Sequence, residues 1–260
     1  MHGIGGLEGF RWIFLIEGIP SIIFGIVCWW YLPDFPFSAS FLSEKERLIA
    51  TQRLEAEQGN SISDASFDFK QCIATMTHAR TWLFSILYFC LLVPLYSFSF
   101  FIPSQVARMG FVSLDAQLLS SPPYVATFFI TIFWAYSSDR RKERAAHTFL
   151  PLFFQIFGFF ALAMIRYNIF TIRYALIVFT VSMAFASLPP VLAWHSSAVS
   201  SESNTVRATS TAMMVSVGNL GGLAAPYIYG DEQLGHMMCG CLSIVGCILT
   251  VSLYFYMRNK

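Results

Sequence analysis

Seven long apolar runs, with almost every charge outside them, constrain this chain more than any other feature. The runs are Trp12–Leu32, Trp82–Pro103, Leu118–Ser138, Thr148–Ile165, Tyr174–Trp194, Thr209–Tyr229 and Met237–Met257. Each is close to the roughly 20 residues that a helix needs to cross about 30 Å of hydrocarbon. Of the 16 Lys and Arg and 15 Asp and Glu, only Glu17 lies inside a run. A charge at mid-bilayer costs at least about 2.5–3.5 kcal/mol, so this partition is what a membrane enforces. Charged residues are 12% of the chain and hydrophobic ones 56%, against roughly 25% charged in a soluble domain. The runs lack the apolar/polar alternation of barrel strands. The fold class is therefore all-α and integral to the membrane, with seven spans expected. A net charge of +1 offers no field for nucleic acid.

Lysine and arginine set the expected orientation. Segments 33–81, 139–147, 195–208 and 258–260 carry Lys45, Arg47, Arg53, Lys70, Arg80, Arg140, Arg141, Lys142, Arg144, Arg207, Arg258 and Lys260. The opposite set carries Arg11, Arg108, Arg166 and Arg173. The richer set belongs in the cytoplasm, which places the N-terminus outside and the C-terminus inside. The first run lacks the basic start and short apolar stretch of a signal peptide. None of the six cysteines falls in an external loop, so no disulfide framework is expected. Cys239-Gly240-Cys241 lacks the two-residue gap of a redox or zinc motif.

The segment 33–81 is the largest loop. Pro33 and Pro36 should stop the first helix. Ser43-Glu44-Lys45-Glu46 has the form of a capping box, predicting a surface helix from about Glu44 to Glu57 that ends at Gly59-Asn60. Residues 60–68 are rich in Ser and Asp and are expected to be a mobile connector. One span before this loop and six after it suggest that the chain begins partway through something larger.

Several stretches together resemble the major facilitator superfamily, and within it the fungal anion:cation symporter branch typified by allantoate permease. They are Phe10-Arg11-Trp12-Ile13-Phe14-Leu15-Ile16-Glu17-Gly18-Ile19-Pro20 with Leu32-Pro33-Asp34-Phe35-Pro36, then Phe41-Leu42-Ser43-Glu44-Lys45-Glu46-Arg47, Leu92-Val93-Pro94-Leu95-Tyr96-Ser97, Gln117-Leu118-Leu119-Ser120-Ser121-Pro122-Pro123-Tyr124, Ser138-Asp139-Arg140, Pro189-Pro190-Val191-Leu192-Ala193-Trp194 and Gly218-Asn219-Leu220-Gly221-Gly222. The resemblance implies helices six to twelve of a twelve-helix transporter. Residues 1–32 would be the last helix of the first half, 33–81 the cytoplasmic central loop and 82–260 the six-helix second half. It further implies proton-coupled alternating access to a small organic anion of vitamin, ureide or carboxylate class, with substrate held between the halves. The plasma membrane is the address it implies. No cofactor, metal or enzymatic activity is expected, the proton being the coupling ion. Partners would be lipid, the anion, and either the missing first half or a full-length transporter.

Glu17 is the candidate for proton carriage or helix pairing, with Arg11 or a neighbouring backbone group as its structural partner. Asp139, Arg140 and Arg144 resemble the second-half copy of the superfamily's cytoplasmic loop motif, in which an acid and nearby arginines latch the inner gate. Tyr96, Tyr124, Gln155 and Asn219 are the substrate-pathway candidates. Tyr96 and Tyr124 sit beside prolines that free backbone groups, Gln155 brings an amide into a span, and Asn219 lies in the most polar run among Gly218, Gly221 and Gly222. His195, at an inner helix end where the family carries Asn, is expected to be solvated. Two alternatives stand beside transport. One is a fragment that regulates or complements a transporter. The other is a seven-helix receptor, which the 49-residue segment 33–81 argues against.

Overall fold

The computed structural model describes residues 4–6, 8–33, 39–58, 68–111, 114–165 and 169–259, and among these it is helical without a strand. By compactness it divides into residues 1–62 and 63–260.

The first unit holds α1 (Gly9–Tyr31) and α2 (Glu44–Gln58). α1 is a 23-residue apolar helix long enough to span, and none of its side chains is buried. Pro20 lies inside it, and the Ser21 hydroxyl donates to the Glu17 carbonyl at 2.8 Å, one turn back. The helix stops at Tyr31. Leu32 is extended at φ −88° and ψ 116°, the conformation that Pro33 imposes on the residue before it. The capping box at α2 forms as expected. Ser43 N–H and O–H donate to Glu46 Oε2 at 2.9 and 2.8 Å, and Glu46 N–H donates to Ser43 Oγ at 3.4 Å. Pro36, the expected Gly59-Asn60 stop and most of the connector lie outside the described residues.

The second unit holds α3 (Phe69–Thr77), α4 (Ala79–Arg108), α5 (Leu114–Arg141), α6 (Arg144–Met164), α7 (Phe170–Ala186), α8 (Leu188–Ala198), α9 (Asn204–Ile228) and α10 (Glu232–Arg258). α3 is a short amphipathic helix within the segment expected to be loop. Asp68 caps it by accepting from Lys70 and Gln71 N–H, and it packs on α9 and α4. The long helices run up and down between two ends. At one end α4 starts, α5 turns into α6, α8 turns into α9, and α10 finishes. The other end holds the turns α4–α5, α6–α7 and α9–α10.

The fifth apolar run is one path but two helices. α7 ends at Ala186, where the Ser187 hydroxyl donates to the Ala184 carbonyl at 2.8 Å. α8 then begins with Pro189 in its first turn, where a missing N–H costs nothing. The sixth run gives the 25-residue α9. It is long enough to span but is not among the six stretches also apolar enough to cross a membrane: α1, α4, α5, α6, α7 with α8, and α10.

Polarity in the second unit is inverted relative to a water-soluble bundle. Thr148, Gln155, Thr180, Ser182, His236 and Ser243 are fully buried, while Phe128, Phe129, Ile132 and Phe133 of α5 are 54–69% exposed. Hydroxyls inside bond the carbonyl one turn back, as Ser243 does to Cys239 and Thr180 to Leu176. Such a surface belongs in lipid. Two apolar clusters fill the rest of the interior. Phe84, Leu91, Leu152, Met214 and Leu253 fill it towards the start of α4, and Phe98, Ile102, Phe159, Ile177 and Val181 fill it towards the end.

Candidate functional site

α4 and α9 run side by side, and glycine makes their approach possible. A Cβ on Gly218 would lie 2.2 Å from Tyr88 Cδ1, and one on Gly222 would lie 3.2 Å from the Tyr96 ring. This seam brings two of the candidate residues together. Tyr96 is the eighteenth of the 30 residues of α4, and Asn219 the sixteenth of the 25 of α9, so both sit mid-helix. The Asn219 Nδ2 donates to the Val215 carbonyl at 2.8 Å, which turns Oδ1 outward. Tyr96 O–H must then be the donor in its 2.6 Å bond to that oxygen. The pair leaves one Asn219 N–H, a lone pair on Oδ1 and those of the phenol oxygen unused. Asn219 is exposed and Tyr96 half-buried, with Phe100 stacked on the phenol at 6.1 Å. An amide and a phenol offered together at mid-helix are suited to orienting a polar solute.

The other two pathway candidates are not brought to this pair. Tyr124 is half-buried in α5, edge-on to Phe185 of α7 at 6.1 Å. Gln155 is fully buried in α6, and neither of its amide atoms has a hydrogen-bond partner. Its neighbours one turn either way, Leu152 and Phe159, are apolar and equally buried. Gln155 therefore sits in packed core. Glu17 is exposed on α1 and makes no ion pair with Arg11, whose guanidinium lies over the Phe10 ring at 5.8 Å.

Of the three gate candidates, two meet. The α5–α6 turn is two residues, with Lys142 left-handed at φ 56°, and it brings Asp139 into an ion pair with Arg144. Arg144 also donates to Ser138 Oγ at 3.3 Å. Arg140 takes no part. It lies exposed in the last turn of α5, where a cation complements the helix dipole. A cavity of about 1090 Å³ opens beside the pair, with Phe149, Trp194, Tyr254 and Phe255 among its walls. Arg80 ties the same end by donating to Glu202 at 2.8 Å and to the Ala198 carbonyl at 3.1 Å. Nearby, His147 spans α5 and α6. Its Nδ1–H donates to the Glu143 carbonyl at 2.7 Å, and Nε2 and the Ser137 hydroxyl are hydrogen-bonded at 3.1 Å. His195 is not solvated as expected. It is 2% exposed, because α8 turns this face onto α4, and its ring is edge-on to Phe84 at 5.1 Å.

A second charged cluster at the opposite end escaped the sequence reading. Arg173, 3% exposed near the start of α7, donates to Glu232 Oε1 of α10 at 2.8 Å and to the Leu162 and Ile165 carbonyls at the end of α6. Arg108 of α4 donates to Glu232 Oε2 at 3.0 Å. Tyr229 and His236 bond at 3.0 Å one turn further in. Locally, Arg173 looks like a flanking cation and Glu232 like a first-turn acid. The signal for their pairing is that span-edge charges of opposite sign lie at the same end of the bundle, and choosing the partners needs the topology to be known.

The chain is similar to an MFS transporter of a fungal species, prlL, at 30% identity over all of the chain and 54% of that protein. It is similar to a putative tartrate transporter of Agrobacterium vitis, at 29% over 96% of the chain and 56% of the relative. It also resembles the putative metabolite transport protein NicT of Pseudomonas putida, at 26% over 99% and 59%. The chain thus spans about half the length of the curated relatives it matches. These names point to a transporter and not to an enzyme. The family model of the Major Facilitator Superfamily matches residues 2–226, and the chain belongs to that superfamily.

Proposed function

We propose that the second unit is one wall of a transport pathway for a small organic anion, worked by proton-coupled alternating access. The observation that carries this is the Tyr96–Asn219 pair, half-buried on the tyrosine side and exposed on the asparagine side, at mid-helix in a unit that exposes many large apolar side chains. Substrate sites of such transporters lie near the bilayer midplane. α9 is the seventh span in this reading. It is too polar to face lipid all round, it is long enough to cross, and it packs along α4 through its glycines. It belongs at the lining of the pathway. The allantoate-permease branch and the carboxylate class are consistent with the resemblance of the motifs, and a relative named for tartrate supports the same class.

Orientation follows the charge. Among the described residues of the second unit, Lys70, Arg80, Arg140, Arg141, Lys142, Arg144, Arg207 and Arg258 lie at the end where α4 starts, and only Arg108 and Arg173 at the other. The richer end is cytoplasmic in this reading, and the plasma membrane is the expected address. The Asp139–Arg144 pair would then latch the inner face.

The test is equilibrium binding of tartrate and a series of small carboxylates to the full chain in lipid nanodiscs. Saturable binding of one class, weakened about tenfold by Asn219→Ala through the loss of roughly 1–1.5 kcal/mol of hydrogen bonding, is expected. Equal binding by Asn219→Ala and Tyr96→Phe would remove the pair from the pathway.

A further inference from the structure

We propose that Arg108 is a capture site for the carboxylate of an incoming anion, and that Glu232 holds it shut until exchange occurs. This rests on the anion-transport reading above. Glu232 holds two arginines in different ways. Arg173 is 3% exposed and also bonds two carbonyls at the end of α6, so breaking that tie would strand a buried charge. The Arg108 side chain is 61% exposed, so its bond to Oε2 is the more easily broken of the two. The carboxylate is therefore anchored on one side and releasable on the other. A cavity of about 600 Å³ adjoins the cluster and reaches Arg108, lined also by Arg173, Asp231, Glu232, Gln233 and His236 among others.

A free carboxylate entering this cavity can replace Glu232 on Arg108 one for one, with no change in the number of ion pairs. Glu232 keeps Arg173 on Oε1, and His236 Nε2 stands 3.4 Å from that same oxygen. α4 loses its one ion pair to α10 among the described residues, which loosens its last turn while the packing of the two helices stays. Under the positive-inside orientation this end faces outward, where substrate arrives. The cluster would thus couple arrival of an anion to release of the outer end of a helix that carries Tyr96 deeper in.

The experiment is hydrogen–deuterium exchange on the full chain in nanodiscs, read over residues 102–110, with tartrate added and with chloride at matched ionic strength. Tartrate is expected to speed exchange there about two- to fivefold, the scale of losing one exposed ion pair. Arg108→Gln should show the faster exchange without ligand and no further response. At saturating tartrate, Asn219→Ala should lose affinity at the mid-helix pair while residues 102–110 still respond, which separates this site from that pair. An equal response to chloride, an unchanged response in Arg108→Gln, or no response in the wild type would each overturn the proposal.

Discussion

Gly218 of α9 lies so close against Tyr88 of α4 that a methyl group in its place would stand 2.2 Å from the Tyr88 ring. Tyr88 is buried, so its ring has no open side to move into. Gly218→Ala is therefore expected to lower the stability of the second unit by about 1–3 kcal/mol. Thermal melting of the solubilised chain measures it. Gly25→Ala in α1, where no atom lies within 4 Å of the added carbon, serves as the control and should leave the melting temperature unchanged or slightly raised. Equal melting of the two variants would mean that the α4–α9 seam is looser than described.

The α5–α6 turn combines a strained residue with an ion pair, and the two separate by mutation. Lys142 at φ 56° carries the left-handed penalty of a residue with a Cβ. Lys142→Gly should raise stability by about 1 kcal/mol. Asp139 is 65% exposed in its pair with Arg144. Asp139→Asn should cost no more than about 1 kcal/mol, and high salt should erase the difference. Melting curves at low and high ionic strength distinguish the two effects. Arg140→Gln should lose only a charge at the end of α5, since it pairs with neither residue.

The Ser43–Glu46 capping box gives α2 an acid limit. The backbone N–H of Ser43, and then its hydroxyl, hold the Glu46 carboxyl below its ordinary 4.5. A carboxyl lowered in the folded state contributes its stabilisation above the unfolded pKa and loses it as pH falls through the folded one. Fraying of the first turn of α2 should therefore begin only below pH 4.5, which amide exchange at Ser43 and Glu46 would report. Glu46→Gln keeps an acceptor but cannot titrate, so its exchange, corrected for the intrinsic rate, should not change across that range.

Local signals carried much of the fold. Apolar length and charge exclusion placed the six stretches long and apolar enough to cross a membrane, Pro33 placed the end of α1, and Ser43 with Glu46 placed the start of α2. Composition was less decisive for α9, where Asn219 and the glycines that let it pack against α4 are also what make it polar for a span. α3 was missed because nine residues with one capping Asp resemble loop when the helix they pack on is unknown. At the candidate site, Tyr96 and Asn219 were each recognisable as polar groups in a span, but their bond joins residues 123 apart in sequence. The Arg173–Glu232 pair is hidden for the same reason, at a separation of 59. Periodicity and composition are local, and they do not say which helices are neighbours.

Gln155 shows where a local reading of polarity misleads. An amide inside a span suggests a solute pathway, yet this one is fully enclosed with both atoms unpaired among apolar neighbours. An unsatisfied buried amide costs about 1–3 kcal/mol, while an apolar group of the same length costs nothing of the kind. Gln155→Met preserves the side-chain length and removes both unpaired atoms. It is expected to raise the melting temperature, by an amount equivalent to about 1 kcal/mol, and to leave anion binding unchanged. A folded Gln155→Met chain that has lost binding would instead put this amide in contact with substrate, in a state of the bundle whose α6 face is open.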